Sequence, residues 1–509
     1  MISIVDRFIR KAIVVCAFFC STNVFGQNPA VVTSYGTIEG LRHEGVNIYK
    51  GIPFAAPPVG ELRWKAPEPP ASWKGVKKCV AFSASPIQSL PVPFSCWTEE
   101  FIAPPSPLSE DCLYLNVWTS ASDSKEKRPV FVWIYGGGFV SGSAACAIYD
   151  GEDYAKRGIV FVSINYRVGA LGFMAHPELT KEAKGISGNY GLLDQVAALK
   201  WVKENIAAFG GDPGNVTIAG QSAGAMSVNA LIASPLATGL FQKAIAESGG
   251  ILGGFAFSDL GKAEQGGEAL QKALGVASLA AMRALPADSI LHASAKLGGI
   301  RFSPILDGTV LPSNIENAFQ EGHFNKVIFM SGWVTGDGAL FGSQKPTKDQ
   351  FIKTIHDRYG NKADKLLTLL PHETADEGGK SMSELTMVSF AVASPSKLAA
   401  YNPQPSYVYE FSHVPVDKPG FPNYGAFHTS EVPYALHTLH LWHRPWKELD
   451  YSIENMMSSY WINFIKTGDP NGKGLPKWNR FKQDSFLQIG DVVSERPNVY
   501  KELVQILGQ

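Results

Sequence analysis

Val216-Thr217-Ile218-Ala219-Gly220-Gln221-Ser222-Ala223-Gly224-Ala225 sets a short apolar strand directly before a G-x-S-x-G pentapeptide. Beyond it, Ala225, Met226, Val228, Leu231 and Ile232 suit a helix, so Ser222 falls on a strand-to-helix turn. Glycines at 220 and 224 allow a turn so sharp that neighbouring Cβ atoms would collide, and it lifts the serine hydroxyl above the end of a sheet. The pentapeptide alone is a weak signal. Strand, turn and helix in that order make it a candidate nucleophile elbow.

A serine attacking a carbonyl needs donors for the oxyanion that forms. Tyr135-Gly136-Gly137-Gly138-Phe139 follows the apolar run Val130 to Ile134, where backbone N–H groups can converge with no side chain in the way. Gly137 and Gly138 are the expected donors, with Ala223, the residue after the nucleophile, as a third. The hydroxyl also needs a histidine to take its proton and a carboxylate to orient that histidine, in the chain order Ser, acid, His. Asp337 lies in Gly336-Asp337-Gly338, past the expected strand Lys326 to Met330. His428 lies past the expected strand Ser406 to Phe411. Among the other histidines, His356 and His372 have no strand immediately before them, and His413 has too little loop to reach a distant serine. His437, His440 and His443 suggest a metal, but no acidic or thiol ligand sits at ligand spacing among them and HExxH is absent. No metal and no organic cofactor are expected.

Working outward, the runs Val130 to Ile134, Ile159 to Ile164, Val216 to Ala219, Lys326 to Met330 and Ser406 to Phe411 read as buried parallel strands, which makes the chain α/β. Leu192, Val196, Leu199, Val202 and Ile206 mark an amphipathic helix that Gly210-Gly211 ends. From Val31 to about Trp73 the pattern is strands and Pro-rich loops, expected to add antiparallel edge strands. No linker or repeat interrupts 27–509, read as one domain. Before it, Arg7, Arg10 and Lys11 precede the apolar run Ala12 to Cys20 and polar Ser21 to Asn23, the layout of a signal peptide cleaved after Gly26. Residues 1–26 are thus a targeting segment, the mature chain has no transmembrane segment, and the protein is expected to be secreted or periplasmic.

The 509 residues are 45% hydrophobic and 18% charged, enough for a large core. Lys plus Arg (45) balances Asp plus Glu (46), which disfavours nucleic acid as a partner. Four cysteines remain after the leader, Cys79, Cys96, Cys112 and Cys146. In an exported chain they permit two disulfides, and Cys96 with Cys112, closing a loop in a Pro-rich stretch, is the expected pair.

Together these residues resemble the type-B carboxylesterases, the α/β-hydrolase family that includes the cholinesterases. Beyond the elbow, the resemblance rests on Glu110-Asp111-Cys112-Leu113-Tyr114-Leu115-Asn116-Val117-Trp118, Asn165-Tyr166-Arg167-Val168-Gly169, Gly188-Asn189-Tyr190-Gly191-Leu192-Leu193-Asp194-Gln195, Phe209-Gly210-Gly211-Asp212-Pro213 and Lys466-Thr467-Gly468-Asp469-Pro470-Asn471, in the family's order. It implies the α/β-hydrolase fold, with a mostly parallel central sheet flanked by helices, and a triad of Ser222, Asp337 and His428. Three departures stand out. Gln221 replaces the family's Glu before the nucleophile, Asp337 its usual acid Glu, and Pro86 the usual cysteine partner of Cys112.

The expected activity is hydrolysis of carboxylic esters, small-molecule or carbohydrate-linked, through an acyl-enzyme. Phe139, Trp333 and Phe427 adjoin the candidate residues and suggest an aromatic-lined gorge. The alternatives are amide or thioester cleavage by the same triad, and a catalytically silent binding or adhesion protein on the same fold. Oligomeric state is not legible in the sequence.

Overall fold

The computed structural model describes residues 28–508 apart from 254–256, 342–344, 417 and 421; the expected signal peptide and its cleavage point lie outside them. The main sheet has eleven strands: β1 Leu41–His43, β2 Val46–Pro53, β3 Tyr114–Thr119, β4 Arg128–Ile134, β5 Val160–Ile164, β6 Gly211–Gln221, β7 Lys243–Glu247, β8 Ile328–Val334, β9 Ser406–Phe411, β10 Ser485–Ile489 and β11 Ser494–Pro497. Their order across the sheet is β11-β10-β9-β8-β7-β6-β4-β5-β3-β2-β1. From β5 through β4 and β6 to β10 every pairing is parallel. The edges, β1–β2–β3–β5 on one side and β10–β11 on the other, are antiparallel.

The parallel strands are buried almost throughout, as near-continuous Val, Ile and aromatic runs require when helices cover both faces. The expected helix is α1, Tyr190–Asn205, but it is buried on most sides instead of amphipathic, with only Lys200, Lys203 and Glu204 exposed, and a short 3-10 turn ends it at Gly210, whose φ of 78° is one a side chain resists. α2, Ala223–Ala233, follows β6 with only Ser222 between. Val31 and its neighbours partly leave the main sheet: Ala30–Thr33, Gly36–Glu39 and Val76–Lys78 form a small sheet of their own. No helix among the described residues is long and apolar enough to cross a membrane.

The expected Cys96–Cys112 disulfide is not formed; all four cysteines are buried free thiols. Cys96 lines a cavity with Pro415, Val416 and Tyr424, whereas Cys112 faces Arg63, Arg167 and Leu171. The base of the loop is closed without a covalent tie. Ser85–Pro86 pairs with Leu108–Ser109, so a backbone ladder holds the position where the family's cysteine would be. Burial pushes the thiols of Cys79 and Cys96 up to about 11 and that of Cys146 to about 12, which makes them poor nucleophiles.

Candidate active site

All the candidate residues gather at the carboxyl ends of the parallel strands, the end where open α/β sheets hold their ligands. Gln221 closes β6 in register with Glu247 at the end of β7, which is in register with Gly332 of β8. The elbow is as tight as the pentapeptide implies. A Cβ on Gly220 would lie 2.5 Å from the Ile134 carbonyl oxygen, and one on Gly224 would lie 2.1 Å from it. Ser222 takes φ 60°, ψ −123°, a strained conformation for a residue with a side chain, and its N–H donates to the Glu247 carbonyl at 2.9 Å. It is partly buried and so reachable.

The glycine turn after β4 packs on that elbow, because a Cβ on Gly136 would stand 3.1 Å from Ser222 Cβ. Among the described residues no acceptor takes the N–H of Gly137, Gly138 or Ala223. These three donors are unspent beside the serine, as an oxyanion site requires.

Asp337 follows β8 by three residues and His428 stands in the loop beyond β9. The two loops are stitched by Gly336 N–H donating to the Ala426 carbonyl at 3.0 Å, an approach at which a Cβ on Gly336 would lie 2.3 Å from the same oxygen. His428 Nδ1 thereby lies 2.6 Å from Asp337 Oδ1, with the imidazole N–H donating, while Asp337 Oδ2 accepts from Val334 N–H at 3.1 Å. Both side chains are buried. The shorter acid reaches its histidine.

The third contact is not the one the triad implies. Ser222 Oγ makes no hydrogen bond with a described residue. Instead the Gln221 amide N–H donates to His428 Nε2 at 3.2 Å, and Gln221 Oε1 accepts from Thr429 Oγ1 at 3.4 Å. Thr429 Oγ1 in turn accepts from Trp97 Nε1 at 3.1 Å, tying the Pro-rich loop to the residue after His428. The imidazole is flanked by Trp97 and Phe390, at ring separations of 6.5 and 5.8 Å. Phe390 sits in a π-helical turn, Val388–Val392, a distortion frequent at functional sites.

The aromatic wall differs from expectation. Trp333 turns away into the core, donating to Glu410 and packing on Phe486 and Tyr500. Phe427 packs on Phe101 and Trp442, and Phe139 on Phe173 and Phe257. His413, passed over for lack of loop, is clasped between Asp450 at 2.9 Å and Asp491 at 2.6 Å. One group among the described residues, His43, Glu44 and Glu152, has its ligand atoms close enough for a metal ion, but it is at the surface and Lys156 already bridges both carboxylates.

Two further carboxyls are buried near the strand ends: Glu431, which the sequence offers as the next candidate for the acid after Asp337, and Glu247, which a search for a triad passes over. Glu247 accepts from Trp461 Nε1 at 2.8 Å and Glu431 from Ser248 Oγ at 3.1 Å, and the second oxygen of each is buried without a partner. Burial pushes Glu247 up to about 8, and burial reinforced by Glu247 and Asp337 pushes Glu431 well above the usual carboxylate range. For each, burial disfavours the charged form. The signal available in the sequence was Glu431, three residues after His428, and the Glu-Ser-Gly end of β7.

Comparison with known proteins agrees with this architecture. Residues 27–505 match the profile of the Carboxylesterase family. The chain is 36% identical to the para-nitrobenzyl esterase of Bacillus subtilis over 476 residues, covering 89% of this chain and 93% of that protein. It is 34% identical to the fumonisin B1 esterase of Sphingopyxis macrogoltabida over 478 residues, covering 89% and 84%. A solved PNB esterase structure superposes with a TM-score of 0.82 at 32% identity, over 94% of this chain and 99% of that one. With the elbow, the glycine turn and the histidine–aspartate pair at one end of an α/β-hydrolase sheet, the chain belongs to the carboxylesterase family and is a carboxylic ester hydrolase.

Proposed function

We propose that this protein is an exported serine esterase working through an acyl-enzyme, with Ser222 as nucleophile, His428 as base and Asp337 as the residue that orients it. The observation that carries the reading is the 2.6 Å contact of His428 with Asp337 beside a serine held at φ 60°. When an ester docks, Ser222 Oγ displaces the Gln221 amide from His428 Nε2; catalytic hydrogen bonds often tighten only in the Michaelis complex. Ser222 Oγ then attacks the carbonyl carbon and its proton passes to Nε2. The N–H groups of Gly137, Gly138 and Ala223 hold the oxyanion. Collapse breaks the ester C–O bond, and the imidazolium returns the proton to the departing alcohol. Water, deprotonated by His428, attacks acyl-Ser222, releasing the acid and restoring the hydroxyl.

Residues 27–509 act as one catalytic unit in this reading, and residues 1–26 direct export to the periplasm or beyond. The substrates are small-molecule or carbohydrate-linked esters. Ser222→Ala tests the mechanism. The expected outcome is a fall in kcat of about 10⁶ with folding intact; near-full activity in that variant would refute it.

A further inference from the structure

One exposed cation stands beside the glycine turn. Arg301 lies in a stretch pinned to the core on both sides. Ile300 packs against the apolar cluster, Phe302 is buried, and the Ile305 backbone exchanges two hydrogen bonds with the buried Asn189 side chain, at 3.0 and 2.9 Å. From between these anchors the Arg301 side chain, itself exposed, brings Nη2 to 3.1 Å from the point a Cβ on Gly138 would occupy. That is at most one carbon–carbon bond, about 1.5 Å, further from Gly138 Cα. The guanidinium therefore stands beside one of the three unspent N–H donors. No acceptor among the described residues takes any of its five N–H groups.

A guanidinium is cationic, and the carboxyls at the strand ends are buried away from the exposed fork. Position 221, next to the nucleophile, holds a neutral amide. Asp337 is buried and committed to His428. Burial disfavours a charge on Glu247 and Glu431. A charged fork with no protein partner, at the mouth of a polar cradle, is suited to a bidentate carboxylate.

We propose that Arg301 is an anion subsite of the acyl pocket, selecting esters whose acyl part carries a second, ionised carboxylate a few bonds from the scissile carbonyl. The acyl side is assigned because the alcohol oxygen must face His428, which takes and returns the proton. The groups packed round that ring are Gln221, Thr429, Trp97 and Phe390, whereas Arg301 stands at Gly138. The proposal rests on the serine-esterase reading above.

Three esters separate the possibilities in a pH-stat assay: monoethyl succinate, with the carboxylate on the acyl side; 3-butyryloxypropanoate, with it on the alcohol side; and neutral ethyl pentanoate. The wild type is expected to favour monoethyl succinate in kcat/KM, less so as salt is raised. Arg301→Met should lower the ratio of monoethyl succinate to ethyl pentanoate by about tenfold to a hundredfold, the range of a charge-assisted bidentate contact. Arg301→Lys should recover part of it. An unchanged ratio in Arg301→Met overturns the subsite. A loss confined to 3-butyryloxypropanoate overturns its acyl placement. Hydrolysis of none of the three by the wild type, with Ser222 unreactive toward a fluorophosphonate, instead removes the esterase mechanism on which the subsite depends.

Discussion

Replacing Gln221 by Glu changes one amide nitrogen to an oxygen at the most sensitive point of the site. In the resting structure that nitrogen donates to His428 Nε2 at 3.2 Å and lies 3.5 Å from Nδ1, in a residue only 2% exposed. A carboxylate there can only accept, so its contact with Nε2 requires a proton on that atom. The imidazolium gains roughly 5 kcal/mol of attraction at about 3.5 Å with an effective dielectric near 20, and only about 1 kcal/mol in water. Between those limits a preference for the protonated imidazole of about 1.5–3 kcal/mol is expected, or about one to two pH units. Catalysis needs the neutral base, so the acid limb of the kcat/KM profile should move to higher pH by that amount. The assay is a pair of pH profiles, wild type and Gln221→Glu, on a neutral ester and a choline ester of matched size. The wild type should not prefer the choline ester, since Gln221 offers no charge to a quaternary ammonium, and the variant should gain such a preference. An unshifted acid limb, or a strong choline preference in the wild type, refutes the reasoning.

Asp337→Asn should lower kcat by about four orders of magnitude by favouring the wrong imidazole tautomer, with unfolding midpoints near wild type; kinetics alongside thermal melts check both. Glu247 binds its proton up to pH of about 8 in the folded protein, whereas in the unfolded chain it releases it near pH 4.3. Its contribution to stability is thus complete below the lower value and declines by roughly 1.4 kcal/mol per pH unit as pH rises toward the upper one. Glu247→Gln should therefore lose less Tm than the wild type between pH 5 and pH 8, and parallel Tm curves would show that the carboxyl is not held neutral. Asp194→Asn breaks a buried two-point contact with Arg167, 2.7 and 2.8 Å long, and should destabilise the fold by about 3–5 kcal/mol in urea titration. Gly224→Ala drives a Cβ to 2.1 Å from a backbone oxygen and should cost about 3 kcal/mol or more, with poor soluble yield as the first sign.

The parallel strands were legible because buried strands are written as uninterrupted apolar runs. Ser406–Phe411 appears with the expected bounds. The expected strand Lys326 to Met330 is instead Ile328–Val334. Gly332-Trp333 reads as the start of a loop in isolation, but both residues are ladder positions paired with Tyr409 and Glu410. That extension also explains the misplaced aromatic, since Trp333 belongs to the pleat and is held by Glu410 and Phe486. Some family-matching segments prove to be scaffold: Arg167 pairs with Asp194, and Glu110 pairs with Arg63 at 2.7 Å. Chain order and loop position singled out Asp337 and His428. Neither could reveal Glu247 buried against Trp461, Arg301 beside Gly138, or the Gln221 amide on Nε2, because each contact joins segments remote in sequence. The disulfide expectation failed for the same reason, as spacing alone carries no direction for the two thiols.

The central claim is that Ser222 is the nucleophile, and covalent capture tests it most directly. The enzyme is incubated with a fluorophosphonate, the intact mass is measured, and the modified peptide is sequenced. One adduct per chain on Ser222, with ester hydrolysis lost in proportion to labelling, is the predicted result. An adduct on a different residue, or full labelling of Ser222 with hydrolysis undiminished, would contradict the account.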